Sequence, residues 1–213
     1  MIHVYGVVDG LDELPEVAGV DEAPLERRRV AGLEVVLSSA ATPPSAEVSR
    51  ETVLRHAQVV EALLGRSAAI LPAQLGRAFR DEAQLATAIE EQAAQLERGL
   101  ERVRGCVEFG LRATTEPTDD TPEADTGTGY MYARLEQVRL QDDLVDRLHE
   151  PLARFARATT LQRRGGGVMA AYLVARDDEA AFQAAAARLE RTPGVTVICT
   201  GPWPPYSFAA GAS

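Results

Sequence analysis

Three histidines are the side chains in this sequence best suited to acid–base or metal chemistry: His3, His56 and His149. They are far apart in the chain, and no spacing among them matches a metal-ligand motif. We expect His56 to lie near the apolar face of a helix, where two roles compete. The first, which we favour, is a buried or half-buried histidine with a hydrogen-bond partner. The second is a catalytic base.

The other candidates for chemistry have structural explanations. Asp142-Asp143 and Asp177-Asp178 resemble paired carboxylates, but adjacent helix residues point in different directions, and Asp177 or Asp178 is better placed to cap a helix. Gly165-Gly166-Gly167 lacks the lysine and the helix start that a phosphate-binding loop needs, so we predict a turn. The chain has no lysine, which also excludes a Schiff-base enzyme. We therefore predict no catalytic, cofactor-binding or metal-binding residue.

The charge balance argues against nucleic acid as a partner. The 213 residues include 22 basic and 32 acidic side chains, a formal net charge of −10, which repels a phosphate backbone. Two short basic clusters, Arg27-Arg28-Arg29 and Arg163-Arg164, have no aromatic residues among them for base stacking. We interpret both clusters as solvated loops.

The compartment is predicted from what the sequence lacks. No run of about 18 apolar residues predicts a membrane span. The residues from Met1 to Gly10 have neither the basic segment nor the cleavage site of a secretory signal, so we predict a cytoplasmic protein. Cys106 and Cys199 lie in predicted strands and fit the free thiols of that compartment.

The N-terminal half, residues 1–102, is predicted to be an α+β domain of undetermined strand order. Its predicted strands are Ile2–Val8, Leu33–Leu37 and Ala68–Leu71, and its predicted helices are Glu47–Leu64 and Glu82–Leu100. Asp81 is placed to cap the second helix. The residues expected on the buried face are Val53, Ala57, Val60 and Leu64 in the first helix, and Leu85, Ile89, Ala93, Leu96 and Leu100 in the second.

The C-terminal half, residues 103–213, is predicted to have the order β-α-β-β-α-β, which is typical of a ferredoxin-like split βαβ fold. Its predicted strands are Cys106–Leu111, Leu152–Ala158, Val168–Ala175 and Val195–Thr200. The first helix, Tyr130–His149, should end before Pro151 and bury Met131, Leu135, Val138, Val145 and His149. The second should bury Phe182, Ala185, Ala186 and Leu189. The acidic stretch 114–128 is predicted to be a mobile loop.

The segment Gly201 to Phe208 (GPWPPYSF), hereafter the C-terminal strip, is the most distinctive in the chain. Its three prolines restrict the backbone and hold its three aromatic residues in an extended shape. These residues are Pro202, Pro204, Pro205, Trp203, Tyr206 and Phe208. Two roles are open: the strip packs on its own domain and covers a sheet edge, or it anchors a partner protein. We favour self-packing, since so large an exposed apolar segment is unusual.

Four segments, in order along nearly the whole chain, carry a family resemblance. They are Val4-Tyr5-Gly6-Val7-Val8; Arg55-His56 with Val59-Val60; Leu71-Pro72 through Gly76 and Phe79; and Tyr172-Leu173-Val174 followed by the C-terminal strip from Gly201. The strip is specific, whereas each of the other segments is weak alone. Together they resemble the GvpF/GvpL proteins of gas vesicles.

The resemblance implies an accessory protein of gas vesicle assembly, associated with the vesicles. It implies an α+β N-terminal domain and a C-terminal domain of modified ferredoxin-like fold, with no enzymatic activity and no cofactor. The implied partner is the small hydrophobic shell protein GvpA, and other accessory proteins are further candidates. A competing hypothesis, by analogy with ferredoxin-like modules, is a small-ligand-binding or regulatory protein.

Overall fold

The computed structural model describes residues 1–39, 49–115, 127–164 and 167–209, and its contacts divide the chain into two units. The first unit comprises Met1–Cys106 together with Trp203–Ser213, and the second comprises Val107–Pro202. Each unit contains one antiparallel sheet and its own helices. The mixed α+β class predicted from the sequence is confirmed.

The sheet of the first unit is built around its first strand. Its strands are β1 (Ile2–Asp9), β2 (Leu25–Val30), β3 (Leu33–Ser39), β4 (Ala69–Pro72) and β5 (Ala78–Phe79). They follow the order β2-β3-β1-β4, and β5 pairs with the start of β1. β1 lies inside the sheet, with β3 along one edge and β4 and β5 along the other, and its residues from Ile2 to Val8 are all buried.

Two helices belong to this unit, α1 (Arg50–Arg66) and α2 (Glu82–Val103). Ser49 caps α1 by accepting a hydrogen bond from the Thr52 amide at 3.1 Å, and Asp81 caps α2 by accepting one from the Gln84 amide at 2.8 Å. The predicted cap at Asp81 is confirmed. The buried residues of α2 are Leu85, Ile89, Leu96, Gly99, Leu100 and Val103, which include most of the predicted face.

The predicted buried face of α1 is partly wrong. Val53 is exposed, and the buried residues are His56, Val59, Val60 and Leu63. These four follow the spacing i, i+3, i+4 and i+7 of one helix face. Counting apolar residues alone missed this face because its first member is a histidine.

The interpretation of the two basic clusters as loops is wrong. Arg163-Arg164 end the strand Ala156–Arg164 of the second unit, and Arg27-Arg28-Arg29 lie in a strand of the first. The latter strand is β2, which pairs with β3 along its whole length and forms an edge of the sheet. An edge strand has one open side, so charged side chains cost little there and discourage pairing with another chain. Glu34 on β3 forms ion pairs with Arg27 and Arg29 across the ladder.

The second unit has the predicted split βαβ arrangement. Its strands are β6 (Cys106–Thr115), β7 (Ala156–Arg164), β8 (Gly167–Ala175) and β9 (Val195–Trp203), and its helices are α3 (Gly127–Leu144), α4 (Glu150–Ala153) and α5 (Glu179–Leu189). The sheet order is β7-β8-β6-β9. Each crossover therefore brackets a strand of the other one, as in ferredoxin-like folds. Three of the four residues of the predicted face of α5, Phe182, Ala185 and Ala186, are buried, and the fourth, Leu189, is half-buried.

Two predicted boundaries and one predicted helix cap in this unit are wrong. A π-helical turn, Val145–His149, links α3 to α4, and the helix continues through Pro151 because proline is tolerated in the first turn of a new segment. The strand expected at Leu152 consequently begins at Ala156. Neither Asp177 nor Asp178 makes the expected side-chain cap of α5.

The acidic stretch 114–128 falls mainly outside the described residues. Its first two residues lie in β6 and its last two in α3. Gly167 is the first residue of β8, and the two glycines before it are likewise outside the described residues.

Candidate functional site

Two histidines and one tyrosine of the first unit pack against one another beneath α1. His3 and Tyr5 come from β1, and His56 comes from the buried face of α1. The ring of Tyr5 stacks on His56 with a centroid distance of 5.3 Å, and His3 lies 4.9 Å from Tyr5 and 5.2 Å from His56. We call these three residues the histidine–tyrosine cluster. Sequence spacing did not predict that His3 and His56, 53 positions apart, would meet.

A hydrogen-bond chain orders the two histidines. Nε2 of His56 lies 3.0 Å from the carbonyl oxygen of Ala73, so the ring donates there. Nδ1 of the same neutral ring is then an acceptor, and Nε2 of His3 donates to it at 2.9 Å. Both ring nitrogens of His56 are therefore engaged within the protein.

Burial keeps both histidines neutral at ordinary pH. Burial, with a smaller effect from the neighbouring His56, lowers the pKa of His3 to about 4. Burial also lowers the pKa of His56, and the hydrogen bond to Ala73 opposes that shift in part. The favoured sequence interpretation of His56, a buried histidine with a hydrogen-bond partner, is confirmed. The hydrogen bonds of His56 to His3 and to Ala73 join α1 to β1 and to the segment after β4.

Tyr5 occupies a β-bulge. Val4 pairs with Leu37 and Gly6 with Val36, so Tyr5 is the extra residue on β1. Its hydroxyl accepts a hydrogen bond from the Val20 amide at 2.7 Å.

The same hydroxyl lies 2.9 Å from Oγ of Ser38 on β3, and both groups are buried. Burial raises the pKa of Tyr5. The Tyr5 hydroxyl thus fixes the loop at Val20 against the sheet.

The remaining motif residues of the first unit line the same strands. A Cβ added at Gly6 would lie 2.7 Å from the carbonyl oxygen of Leu71, so only glycine fits where β1 meets β4. Pro72 and Phe79 are buried, and Gly76 has a positive φ of 89° in the turn between them. Arg55 forms an ion pair with Glu22.

The C-terminal strip is half covered. Pro204, Pro205 and Phe208 are buried, whereas Trp203 and Tyr206 are each 43% exposed. The Phe208 carbonyl accepts a hydrogen bond from Arg102 on α2 at 2.7 Å. Residues from Trp203 onward therefore belong to the first unit, whereas the sequence suggested that the strip packs on the C-terminal domain.

The surroundings of Tyr206 and Gly201 also constrain the strip. Burial raises the pKa of Tyr206 to about 12, and nearby Glu61 on α1 adds to that shift. At Gly201, a Cβ would lie 2.7 Å from the carbonyl oxygen of Glu108 on the neighbouring β6. The strip thus has an inner side that packs and an outer aromatic side formed by Trp203 and Tyr206.

An apolar stripe on α3 is the least expected feature of the second unit. Met131, Leu135 and Val138 lie at helical spacing and are 60%, 51% and 42% exposed. The sequence predicted that they would be buried, and that prediction is wrong. Only the later members of the predicted seam, Val145 and His149, are buried. We call the three exposed residues the α3 stripe.

The end of this helix is anchored by His149. Its Nδ1 lies 2.9 Å from the Tyr172 hydroxyl, and burial lowers the pKa of the ring. Near this anchor Tyr172, Phe182 and Phe109 form a run of aromatic contacts in the core. The two cysteines are both free, and burial raises the pKa of the Cys199 thiol to about 11.

Two shallow cavities of the first unit are polar. One, of about 130 Å³, is lined by Asp21, Glu22, Ser49, Glu51, Thr52 and Arg55, and the other, of about 280 Å³, lies beside Asp9 and Arg29. Both are smaller than the usual range for ligand sites, about 300–1,000 Å³. Among the described residues, no group of three histidine, cysteine or carboxylate side chains is arranged to hold a metal ion. None of the helices described is long and apolar enough to cross a membrane.

Known proteins similar to this chain are gas vesicle proteins. Gas vesicle protein L of Streptomyces sp. (strain CB03234) is 34% identical over 165 residues, which are 65% of this chain and 62% of that relative. Gas vesicle protein F2 of Halobacterium salinarum is 28% identical over 216 residues, covering 97% of this chain and 91% of the relative.

Solved structures agree on the fold. The crystal structure of the gas vesicle protein GvpF from Anabaena sp. PCC7120 superposes with a TM-score of 0.83 at 16% identity, covering 98% of this chain and 95% of that one. The structure of GvpF from Microcystis aeruginosa gives the same TM-score at 15% identity and covers 98% of both chains. The family model described as "Gas vesicle synthesis protein GvpL/GvpF" matches residues 1–210. This chain belongs to the GvpL/GvpF family of gas vesicle synthesis proteins, and its role lies with gas vesicles.

Proposed function

We propose that this protein is a non-enzymatic accessory factor that binds the gas vesicle shell protein GvpA and assists nucleation or growth of the vesicle wall. The proposal rests on membership of the family and on one structural observation, the α3 stripe. Three large apolar side chains, Met131, Leu135 and Val138, are exposed along one helix face. Contiguous exposed apolar surface is typical of sites that bind other proteins.

A shell subunit creates a physical need for such a surface. A small hydrophobic protein exposes apolar side chains and strand edges before it joins the wall, and these self-associate unless another protein covers them. A helix with an apolar stripe offers a matching surface, and the net charge of −10 would help keep the complex in solution. Tyr132 and Leu140, both exposed on α3, extend the apolar area beside the stripe.

The histidine–tyrosine cluster supports the non-enzymatic part of the proposal. A general base needs a free lone pair within hydrogen-bond reach of a substrate proton. In His56 one nitrogen donates to Ala73 and the other accepts from His3, so neither nitrogen has a free lone pair for a substrate proton. We therefore assign His56 a structural role.

Retention of purified shell protein by the immobilised full-length chain tests the proposal. We expect retention at low micromolar concentration and a loss of about tenfold in affinity for Leu135→Glu, because burying one uncompensated charge costs at least 1.4 kcal/mol. Leu54→Glu on α1 is the matched control, since Leu54 is 53% exposed and Leu135 is 51% exposed.

Two results would contradict the proposal. If the wild-type chain does not retain the shell protein, binding to GvpA is wrong. If the wild type binds and the two glutamate variants bind equally well, the α3 stripe is not the binding surface. Circular dichroism of each variant shows whether a loss of binding occurs in a folded protein or results from unfolding.

A further inference from the structure

The last strand of the second unit leaves an open edge. β9 ends the order β7-β8-β6-β9, and no strand among the described residues pairs with its outer side. No residue of β9 is charged, so charge repulsion does not oppose pairing with another strand. Exposed edge strands normally carry charges, prolines or bulges that prevent pairing with another chain. From Val195 to Gly201 this edge has no charged residue and no proline.

In the described part of the chain, the other sheet edges are either protected or, like the two-residue β5, too short to pair extensively. β2 presents Glu26 and three consecutive arginines from Arg27 to Arg29. β7 carries Arg157 and Arg163. β4 is only four residues long and ends at Pro72. The contrast singles out β9 as an edge on which pairing is not opposed.

The exposed side chains of β9 form a self-complementary pattern. Thr196, Ile198 and Thr200 are exposed and alternate with buried or half-buried residues, so they share one face of the strand. The order threonine, isoleucine, threonine reads the same in both directions. In an antiparallel pair of two copies centred on Ile198, each Ile198 lies opposite its counterpart, and each Thr196 lies opposite the Thr200 of the other copy. Pairs of β-branched residues and of threonines stabilise antiparallel strands.

We propose that a second copy of this chain is the occupant of the β9 edge, pairing antiparallel about Ile198 to join the two four-stranded sheets. Charge supports this choice of strand. Self-pairing of β2 about Arg28 would place three arginines against three, whereas β9 pairs without any charge. The inference concerns this edge alone and does not depend on the proposed binding of shell protein.

The overlap is short, and this sets the expected strength. Only Val195–Gly201 of each copy can pair before Pro202 interrupts the strand. Such an overlap buries less than the roughly 1,200 Å² typical of stable interfaces. We therefore expect a reversible dimer that forms in the micromolar range rather than a permanent one.

Sedimentation equilibrium of the full-length protein tests the association. The mass is expected to rise with concentration from 22.9 kDa towards twice that value. Ile198→Lys should keep the protein at 22.9 kDa, because it places two like charges opposite each other. Met169→Lys is the matched control: Met169 is 45% exposed and Ile198 is 50% exposed, but β8 is paired on both sides. The control should associate as the wild type does.

Disulfide trapping tests the register. In a Cys106→Ala, Cys199→Ala background, Ile198→Cys should form a cross-linked dimer on mild oxidation, since the two positions face each other. Thr196→Cys should not, because its counterpart lies four residues along the strand, about 13 Å away and beyond the reach of a disulfide.

Several results would overturn the inference. They are a mass that stays at 22.9 kDa at every concentration, association of Ile198→Lys equal to that of the wild type, or equal cross-linking at positions 196 and 198. A fourth is a monomer whose retention of shell protein is abolished by Ile198→Lys but kept by Met169→Lys. That result would assign the edge to a partner strand instead of a second copy. A failure of wild-type shell binding alone leaves the mass and cross-linking predictions intact.

Discussion

Replacing His3 with glutamine separates the charge of the buried histidine pair from its hydrogen bonding. The amide nitrogen of glutamine can occupy the place of Nε2 and still donate to Nδ1 of His56, the acceptor 2.9 Å away. Glutamine does not titrate. His3→Gln should therefore lose some packing against Tyr5 at every pH, but it should also remove one proton-linked contribution to stability.

The size and sign of that contribution follow from the pKa of His3, which burial lowers from 6.5 to about 4. Below pH 6.5 His3 binds a proton in the unfolded chain but stays neutral in the folded one. The contribution of His3 to the free energy of unfolding is therefore complete above that pH and is lost progressively down to about pH 4. Between pH 7 and pH 5 the loss from His3 is about 2 kcal/mol. His56 adds to the loss in the same direction, since burial also lowers its pKa.

Urea unfolding at pH 7 and pH 5, followed by the fluorescence of Trp203 in the same unit, measures this difference. We expect the wild type to lose about 2 kcal/mol more than His3→Gln over that interval. If the wild type and His3→Gln lose the same stability between the two pH values, the claim that the buried histidines are neutral in the folded chain is wrong.

Three further substitutions test the packing of the first unit, each by the free energy of unfolding. Gly6→Ala should destabilise by about 1–3 kcal/mol, because its Cβ would lie 2.7 Å from the Leu71 carbonyl oxygen; no change would show that β1 and β4 can separate freely. Tyr5→Phe should cost about 1–3 kcal/mol by leaving the Val20 amide without its partner, and a cost near zero would contradict that hydrogen bond. Phe208→Ala should cost about 3–5 kcal/mol and clearly more than Trp203→Ala, since only Phe208 is buried; the reverse order would contradict the packing of the strip.

Much of the fold could be predicted because its signals are local. The apolar run around Tyr172-Leu173-Val174 predicted β8, and the turn at Pro193-Gly194 predicted the start of β9. The spacing of Leu85 to Leu100 predicted the buried face of α2. β2 was missed because its three arginines hide the strand pattern, which an edge position tolerates. A charged edge strand cannot be told from a loop by composition alone.

The site could be predicted less well, since its contacts join distant residues. His3 and His56 meet only because β1 and α1 pack together, and one sequence does not record that packing. The α3 stripe was wrongly assigned to the core for a related reason. Periodicity shows that Met131, Leu135 and Val138 share a face, but not whether the chain itself covers that face.

The central claim is that the molecule contributes a binding surface rather than a reactive group, and vesicle formation in cells tests it most directly. In a cell that forms gas vesicles, a gene encoding this chain or a variant replaces the cell's own gene for the family member. Pressure-sensitive turbidity then measures the vesicles. We predict that His56→Gln, if folded, still supports vesicles, whereas Leu135→Glu does not. Vesicles that form with Leu135→Glu but are lost with a folded His56→Gln would contradict the claim.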